Sequence, residues 1–343
     1  MNMESPFKDM LHTNTAPSDA DCQTIHDFLV GPREEIAVLT DEIVATEALL
    51  DKLNQKRAVL KEFVAVHLAL VSPFRRLPAD VMQEIFVACL PSHRNSTIAE
   101  QDAPLLLCHI CRAWRNLALS MPRLWASLHI VVPHNDRIPW INDTTNTWLS
   151  RSGALPLSIS IASLSKKPRE YILLRTLIGF SLRWEHITFI FCTYESLNPL
   201  ASLSPADVPS LRTVTIKGLS GTSRAEWSNV GFLANPRVHS VSFTASGENV
   251  LFIPLRWERL RRLSIRGSEI SSDTSLDILQ KCPLLETCYL IVTCGKKSPE
   301  TPYRLEHMRN LSVFDKGSKL FEYIIAPKLV WKASAIPAPW AIS

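Results

Sequence analysis

Seven short segments of the chain share the spacing L-x-x-L-x-L, with an apolar residue at each L position. Six of them begin at residues 184, 211, 238, 260, 285 and 308, so the successive intervals are 27, 27, 22, 25 and 23 residues. A recurring interval of this kind predicts one structural unit per segment, stacked on its neighbours. The segments are WASLHI, WEHITF, LRTVTI, VHSVSF, LRRLSI, LETCYL and MRNLSV, and PLSISI from Pro156 fits more loosely.

The intervals fit leucine-rich repeats, whose period is about 20–29 residues. In this interpretation each segment forms a short strand with its apolar residues inside, and the chain returns through a helix or a turn. SLDILQKCPLLE, residues 275–286, is predicted to be one such return. The Asn that often follows the strand is missing from most copies, so the repeats are degenerate, and the final APKLVWKASAIPAPWAIS fits them poorly. Ordinary strands of a β-rich domain are the alternative interpretation.

A second periodic pattern precedes the repeats. Between Ile36 and Val71, apolar residues recur at intervals of three and four, which predicts a helix with one apolar seam. Pro32 suits the first turn of that helix, and Pro73 ends it near Ser72. A self-associating coiled coil, giving a homodimer through residues 33–71, is the favoured interpretation, and a helix packed on its own domain is the alternative. The seam contains Ile36, Leu39, Ile43, Thr46, Leu50, Leu53, Arg57, Leu60, Val64, His67 and Val71.

The pattern of residues 73–127 predicts three short helices and a polar loop. Pro78 suits a first helical turn, and Val81 and Ile85 begin an apolar face. The loop PSHRNSTIAEQDAP follows, and LLLCHICRAWRNLAL then carries apolar residues at helical spacing. Three short helices in about 50 residues make a marginal domain by themselves. Such a unit often gains stability by docking its apolar faces on a partner.

The order of motifs in this segment resembles the F-box. LPADVMQEIF is followed by ICRAWRNLALSMPRLW, which has the opening Leu-Pro, an Ile-Phe pair, an Ile-Cys-Arg-x-Trp core and a closing Leu-Trp. The resemblance covers residues 74–127, and the loop at 91–104 is longer than in the shortest family members. A heptad helix that runs into an F-box and then a repetitive region is similar to a large group of fungal F-box proteins. The motif residues are Leu77, Pro78, Ile85, Phe86, Ile110, Cys111, Arg112, Trp114, Leu124 and Trp125.

The resemblance implies partners and a function. An F-box binds the Skp-type adaptor of a Skp–cullin–F-box ubiquitin ligase, and through it the cullin, while the repeats bring an unknown protein substrate. The chain itself then does no covalent chemistry and is not an enzyme. A coiled-coil and repeat scaffold outside any ligase is the alternative. The resemblance assigns adaptor binding to Leu77, Pro78, Ile85, Phe86, Leu107, Ile110, Cys111 and Trp114.

The predicted strands also indicate a substrate face. In L-x-x-L-x-L, the residues flanking the second apolar position point outward. Arg262 and Tyr289 are the favoured anchors there, because these residue types dominate interface hot spots. Arg262 lies in the basic run 256–267, which favours an acidic or phosphorylated ligand, and a solvated repeat face is the alternative interpretation of that run. The candidate residues are Thr213, Ser240, Arg262, Tyr289 and Asn310.

Motifs of catalysis are missing from the sequence. No G-x-G-x-x-G, G-x-S-x-G or H-E-x-x-H occurs. Cys108 and Cys111 have C-x-x-C spacing, with His129 and His134 nearby, but a zinc site usually needs four well-placed ligands. A zinc or thiol enzyme is therefore the least favoured function, and we expect neither a metal nor another cofactor.

Composition restricts the partners and the compartment. A net charge of +4 over 343 residues argues against a nucleic-acid partner. No apolar run approaches the roughly 20 residues that span a membrane, so we expect no membrane partner. Eight irregularly spaced cysteines indicate reduced thiols. Because the N-terminus also lacks the pattern of a secretory signal, we expect a cytoplasmic or nuclear protein.

Together these patterns predict an α+β multi-domain chain. Residues 1–72 carry 6 Lys+Arg and 12 Asp+Glu, a balance of −6, and the remainder carries 31 and 21, a balance of +10, which suggests separate units. We expect a disordered N-terminus over 1–30, a coiled-coil helix over 31–72, and a three-helix F-box over 73–127. An irregular leucine-rich-repeat α/β solenoid is expected over 128–343.

Overall fold

The chain forms two compact units, Met1–Pro78 and Ala79–Ser343. In the first the described residues are largely helical, and in the second they combine helices with a mostly parallel sheet, so the α+β class with a long N-terminal helix is confirmed. The domain boundaries at residues 31, 73 and 128 stay a prediction. The computed structural model describes residues 5–133, 137–163, 170–191, 194–218, 230–244, 247–267, 269–295, 302–316 and 320–329.

The first unit contains one long helix, α1 (Asp19–Leu70). It starts at a capping box, in which the Ser18 hydroxyl accepts from the backbone N–H of Asp21 and the Asp21 carboxylate accepts from that of Ser18, both at 3.3 Å. The predicted start at Pro32 is wrong, because this cap satisfies the free N–H groups of an earlier first turn. Residues 19–30, predicted to be disordered, are therefore helical. Pro32 lies inside the helix, where it removes one backbone hydrogen bond.

The end of α1 agrees with the sequence. Val71 is the C-cap, and Pro73–Arg76 forms a 3-10 turn directly afterwards. Pro73 disfavours helical geometry in the residue before it, which explains the stop. None of the residues of α1 is buried.

Across the described residues, no helix has both the length and the apolar content that crossing a membrane requires.

The second unit opens with α2 (Ala79–Ala88), α3 (Leu105–Ile110) and α4 (Arg112–Ser120), followed by a 3-10 turn at Pro122–Trp125. The sequence predicts one helix across Cys111, but the structure has two. Cys111 is extended, and its sulfur accepts a hydrogen bond from the backbone N–H of Trp114, so it caps α4 instead of continuing α3.

The main sheet of this unit follows the order of the chain. Each of the eight segments singled out in the sequence forms one parallel strand, which confirms the predicted strands. The short β7 pairs with β8, and β9 pairs with β11 in a separate two-stranded sheet. The strands are β1 (Ser127–Val131), β2 (Leu157–Ser163), β3 (Trp184–Phe191), β4 (Thr213–Lys217), β5 (Ser240–Thr244), β6 (Arg262–Arg266), β7 (Ile270–Ser271), β8 (Thr287–Thr293), β9 (Tyr303–Arg304), β10 (Asn310–Lys316) and β11 (Ile324–Ile325).

The repeat spacing explains the core of this sheet. Because side chains alternate along a strand, the second and third apolar positions of each segment point to the same face. The parallel register then places equivalent positions of neighbouring strands side by side. One such apolar row is Leu128, Ile159, Ile187, Val214, Val241, Leu263, Cys288 and Leu311.

The connections between strands contribute the rest of the core. They contain α5 (Ile138–Arg151), α6 (Tyr171–Ile178) and α7 (Ser272–Lys281), together with several 3-10 turns. The predicted return over residues 275–286 corresponds to α7 and the turn that follows it. Large apolar side chains on these helices, such as Trp148 on α5, are buried.

Candidate functional site

The outward side chains of the main sheet form two polar rows. Four of the five predicted substrate-face residues lie in the first row, and Tyr289 lies in the second. The first row is Ser127, Ser158, His186, Thr213, Ser240, Arg262, Thr287 and Asn310. The second row is His129, Ser160, Thr188, Thr215, Ser242, Ser264, Tyr289 and Ser312.

These rows make a long open surface, named here the outward face. Parallel sheets are usually covered on both faces by apolar contacts, but these side chains are polar and half-buried or exposed. Neighbouring strands lie about 4.8 Å apart, so eight strands extend about 34 Å across the sheet. An extended peptide of about ten residues has the same length. The outward face can therefore accommodate a linear protein segment.

The charge of the outward face is positive. Arg262 lies in the first row, and Lys217 and Arg266 follow at the ends of β4 and β6. Neither row contains an Asp or a Glu. Burial lowers the pKa of His186, and the positive charge of Arg262 is one of the neighbouring charges that lower it further. These cations favour a ligand with negative charge.

The carboxylates nearest to the starts of the strands are already paired. Glu185 accepts from Arg212 at 3.1 Å, and Glu286 accepts from Arg261 at 2.9 Å. Arg212, Arg261 and Glu286 each directly precede a strand, and Glu185 is the second residue of β3. Each pair therefore joins two neighbouring strands. Each pair is neutral overall, so Glu185 and Glu286 do not offset the cations of the outward face.

Tyr289 is held by a contact that sequence reasoning missed. The guanidinium of Arg266 lies 4.6 Å from the centre of the Tyr289 ring, and Arg266 Nε donates to Ser264 Oγ at 3.3 Å. A cation over an aromatic face is attracted to it, so the two side chains form one anchor. The signal was present in the sequence, since the residue after the third apolar position of a repeat also points outward.

One end of the outward face is closed by the polar loop between α2 and α3. Ser96 accepts from the backbone N–H of His129 at 2.7 Å, which adds the loop to the edge of β1. The Asn95 side chain accepts from Ser158 at 2.9 Å and donates to Ser160 at 3.1 Å. A pocket of about 610 Å³ lies here, between residues 91–95 of the loop and strands β1 to β4. No pattern in the sequence indicated this role for the loop.

The loop is held in shape by Asp102. Its carboxylate pairs with Arg94 at 2.8 Å and accepts from the Thr97 hydroxyl at 2.5 Å. The bond from Thr97, with a smaller contribution from Arg94, holds the pKa of Asp102 below its usual value. His129, at the floor of the pocket, has its pKa lowered mainly by burial and also by Arg94. The pocket therefore contains an imidazole whose protonation is disfavoured and an arginine that is paired with a carboxylate.

The predicted adaptor-binding residues divide by exposure. Phe86 and Leu107 are buried, and the rings of Phe86 and Trp114 pack with their centroids 5.0 Å apart. Leu77, Ile85 and Trp114 are half-buried, whereas Pro78, Ile110 and Cys111 are exposed. The buried residues hold the helices in place, and only the side chains with exposed surface are open to a partner. The large apolar residues left exposed on α2 to α4 are Val81, Leu106, Ile110 and Leu119.

The cysteine pair considered for metal or thiol chemistry has structural positions. Cys108 is buried in α3, and burial raises the pKa of its thiol. Cys111 caps α4. His134 lies outside the described residues. Within the residues that are described, no group of three or more His, Cys, Asp or Glu is placed to hold a metal ion.

Comparisons with known proteins add no relative. A scan against protein-family models found no match, and a search of the curated proteins found none either. Function is therefore inferred from the residues and their geometry.

Proposed function

We propose that this chain is the substrate-recruiting F-box subunit of a Skp–cullin–F-box ubiquitin ligase. Residues 73–127 bind the Skp-type adaptor, and an irregular leucine-rich-repeat solenoid over 128–343 binds the substrate. The protein acts in the cytoplasm or nucleus, where the ligase would meet its substrates. The observation that carries this proposal is the polar outward face, which continues directly from a segment with the F-box order of motifs.

The solenoid interpretation is supported by the order of the strands. Eight parallel strands follow one another across the sheet in chain order, and most connections between them are short helices or 3-10 turns. A β-rich domain of ordinary strands gives antiparallel neighbours more often than this. Stacked repeats explain both the order and the in-register apolar rows.

The F-box interpretation is supported by the exposed apolar side chains of α2 to α4. Ile110 is 56% exposed, Leu106 is 43% exposed and Val81 is 40% exposed. Leu106 and Ile110 are four residues apart on α3 and share one helix face, and exposed apolar surface of this kind suits a partner. A partner that buries these three side chains stabilises a segment whose own helices are short. The alternative, a scaffold outside any ligase, keeps the same fold and needs no adaptor.

The substrate of this ligase is an acidic or phosphorylated extended segment. The outward face supplies Lys217, Arg262 and Arg266, and the hydroxyls of its Ser and Thr residues can donate to carboxylate or phosphate oxygens. Its length of about 34 Å suits a linear segment better than a compact small molecule.

The helix α1 adds self-association. Its seam is apolar over most of its length, and each buried aliphatic side chain contributes about 2 kcal/mol. A homodimer through residues 33–71 is therefore part of the proposed assembly, and α1 packed on its own domain is the alternative.

Adaptor binding is tested by pull-down of the full chain. Leu77 and Pro78 changed together to Ala, or Ile110→Glu alone, should remove the Skp-type adaptor and the cullin, because the first removes the opening motif and the second buries a charge at the interface. The matched control is Leu182→Glu, which changes a leucine that is 62% exposed among the repeats and should keep the adaptor. Undiminished binding by both test variants would refute the ligase assignment and favour the scaffold.

Substrate capture is tested by a second variant of the outward face. Arg262→Glu combined with Tyr289→Ala should lose the captured proteins and keep the adaptor, because it reverses one charge and removes the ring under Arg266. The control is Arg256→Glu, which makes the same charge change at an exposed position of the basic run outside the two rows. Affinity purification with mass spectrometry reports both partners. If the captured proteins are unchanged, the substrate binds elsewhere on the chain.

A further inference from the structure

The apolar seam of α1 is open to solvent along its length. Its aliphatic members are between 50% and 63% exposed, although such side chains are usually buried. A helix with this repeat is stable in water when a partner of the same period covers the seam. These members are Ile36, Leu39, Ile43, Leu50, Leu53, Leu60 and Val64.

The charges beside the seam are unevenly distributed along α1. Glu35, Glu42 and Glu47 flank the first half of the seam, and Lys56 and Lys61 flank the second half. With Ile36 and Ile43 at heptad position a, Glu42 and Lys56 take position g, and Glu47 and Lys61 take position e. These are the positions that set the orientation of a coiled coil.

A parallel pair of copies would bring like charges together. Position g of one helix then lies near position e of the next heptad in the other helix. Glu42 would meet the partner's Glu47, and Lys56 would meet the partner's Lys61. Arg57 is itself a seam residue, so it would also face the partner's Arg57 inside the interface. Each of these contacts opposes the parallel arrangement.

An antiparallel pair reverses all of these contacts. Position g then lies near position g, and position e near position e. Glu42 meets the partner's Lys56, and Glu47 meets the partner's Lys61, so the acidic half of one helix covers the basic half of the other.

The seam residues also select one register of the antiparallel pair. An axis between Asp51 and Lys52 places Leu39 opposite the partner's Val64, Ile43 opposite the partner's Leu60 and Leu50 opposite the partner's Leu53. In the same register Thr46 lies opposite the partner's Arg57. Two of the three polar seam residues therefore share a layer. The third, His67, lies opposite the partner's Ile36 at the end of the seam, and the aliphatic layers of Leu39, Ile43 and Leu50 stay intact.

We propose that α1 pairs with a second copy of this chain in antiparallel orientation, about an axis between Asp51 and Lys52. This inference rests on the self-association proposed above and adds its orientation and register. The ends of the two helices at residue 71 then lie at opposite ends of the coiled coil, about 58 Å apart at 1.5 Å per residue. The remainder of each chain would leave the pair at opposite ends.

The orientation is tested by cysteine cross-linking in the full chain. Chains with Leu39→Cys and chains with Val64→Cys are co-expressed, oxidised mildly and digested, and the linked peptides are identified by mass spectrometry. The expected product joins position 39 to position 64, and its absence together with a link from 39 to 39 overturns the antiparallel arrangement. Sedimentation of the unmodified chain is the companion measurement. A monomer at high micromolar concentration overturns the self-association itself, whereas a dimer with the wrong link overturns only the orientation.

The charge pairs are tested by a second variant. Glu42→Lys combined with Glu47→Lys is expected to raise the dimer dissociation constant at least about tenfold at low salt, because it replaces opposite charges with like ones. In a parallel dimer the same variant would replace Glu–Glu contacts with Lys–Lys contacts and leave the dissociation constant unchanged. An unchanged dissociation constant would therefore overturn the proposal. The control is Glu34→Lys with Glu62→Lys, which makes the same change in net charge at heptad position f, away from the interface, and should leave the dissociation constant within about twofold.

Discussion

Trp125→Ala is expected to destabilise the second unit by about 3–5 kcal/mol, the range for removing a large buried aromatic side chain. Trp125 is fully buried, its indole N–H donates to the Ala118 carbonyl at 2.9 Å, and its ring packs edge-on against Trp148 with centroids 4.8 Å apart. The guanidinium of Arg151 lies over the Trp125 ring, 4.7 Å from its centroid. The substitution leaves a cavity and removes one of the two hydrogen bonds that the Ala118 carbonyl accepts, the other coming from the backbone N–H of Met121 at 3.3 Å.

The position of Trp125 makes this loss informative about cooperativity. It connects α4, through Ala118, to α5, through Trp148, and β1 begins two residues later. The three-helix segment and the sheet share this side chain. We therefore expect residues 79–343 to unfold in a single transition when urea unfolding is measured by circular dichroism. The control is Trp140→Ala, since Trp140 is 56% exposed on α5 and its loss should stay within about 0.5 kcal/mol. Equal effects of the two variants, or an early separate transition of the helices, would contradict this description.

Sequence reasoning predicted the strands because their signal is local. The L-x-x-L-x-L spacing places two apolar side chains on one face of each strand. The same rule excludes errors of register, since a shift of one residue would expose Val214 and bury Thr215. Four of the substrate-face residues occupy the same position in their repeats, and the parallel register places that position in one row. The alignment of these four residues was therefore predictable from the sequence.

Features that depend on capping or on distant contacts were not predictable in the same way. The start of α1 is decided by the reciprocal bonds of Ser18 and Asp21, which outweigh the preference of Pro32 for a first turn. The break at Cys111 comes from a thiol that accepts a backbone hydrogen bond. The docking of Asn95 on β2 joins residues more than sixty positions apart, and no local pattern announces such a contact.

The turns that leave the strands were also missed, although the sequence repeats them. LRTVTIKG and LRRLSIRG both end in Gly directly after a strand, at Gly218 and Gly267. Both have positive φ, +86° and +82°, a region that residues with a Cβ adopt rarely. The L-x-x-L-x-L spacing contains apolar positions only and ends before these glycines, so it does not predict the turns.

Gly218→Ala is expected to destabilise the second unit by about 2–5 kcal/mol, and it separates two costs at one turn. The left-handed conformation costs about 1–2 kcal/mol for any residue with a Cβ. A Cβ at Gly218 would also lie too close to the Phe191 carbonyl oxygen, so the backbone of β3 or of the turn must shift, which adds about 1–3 kcal/mol. The matched control is Gly153→Ala, because Gly153 has φ +58° but its added Cβ would meet its nearest neighbour, Pro122, at 3.9 Å, so it should lose only the conformational cost. Urea unfolding of both variants measures the difference. If the two lose the same stability, the close approach of β3 to the turn after β4 contributes nothing, and the spacing of these neighbouring repeats is not fixed by the glycine.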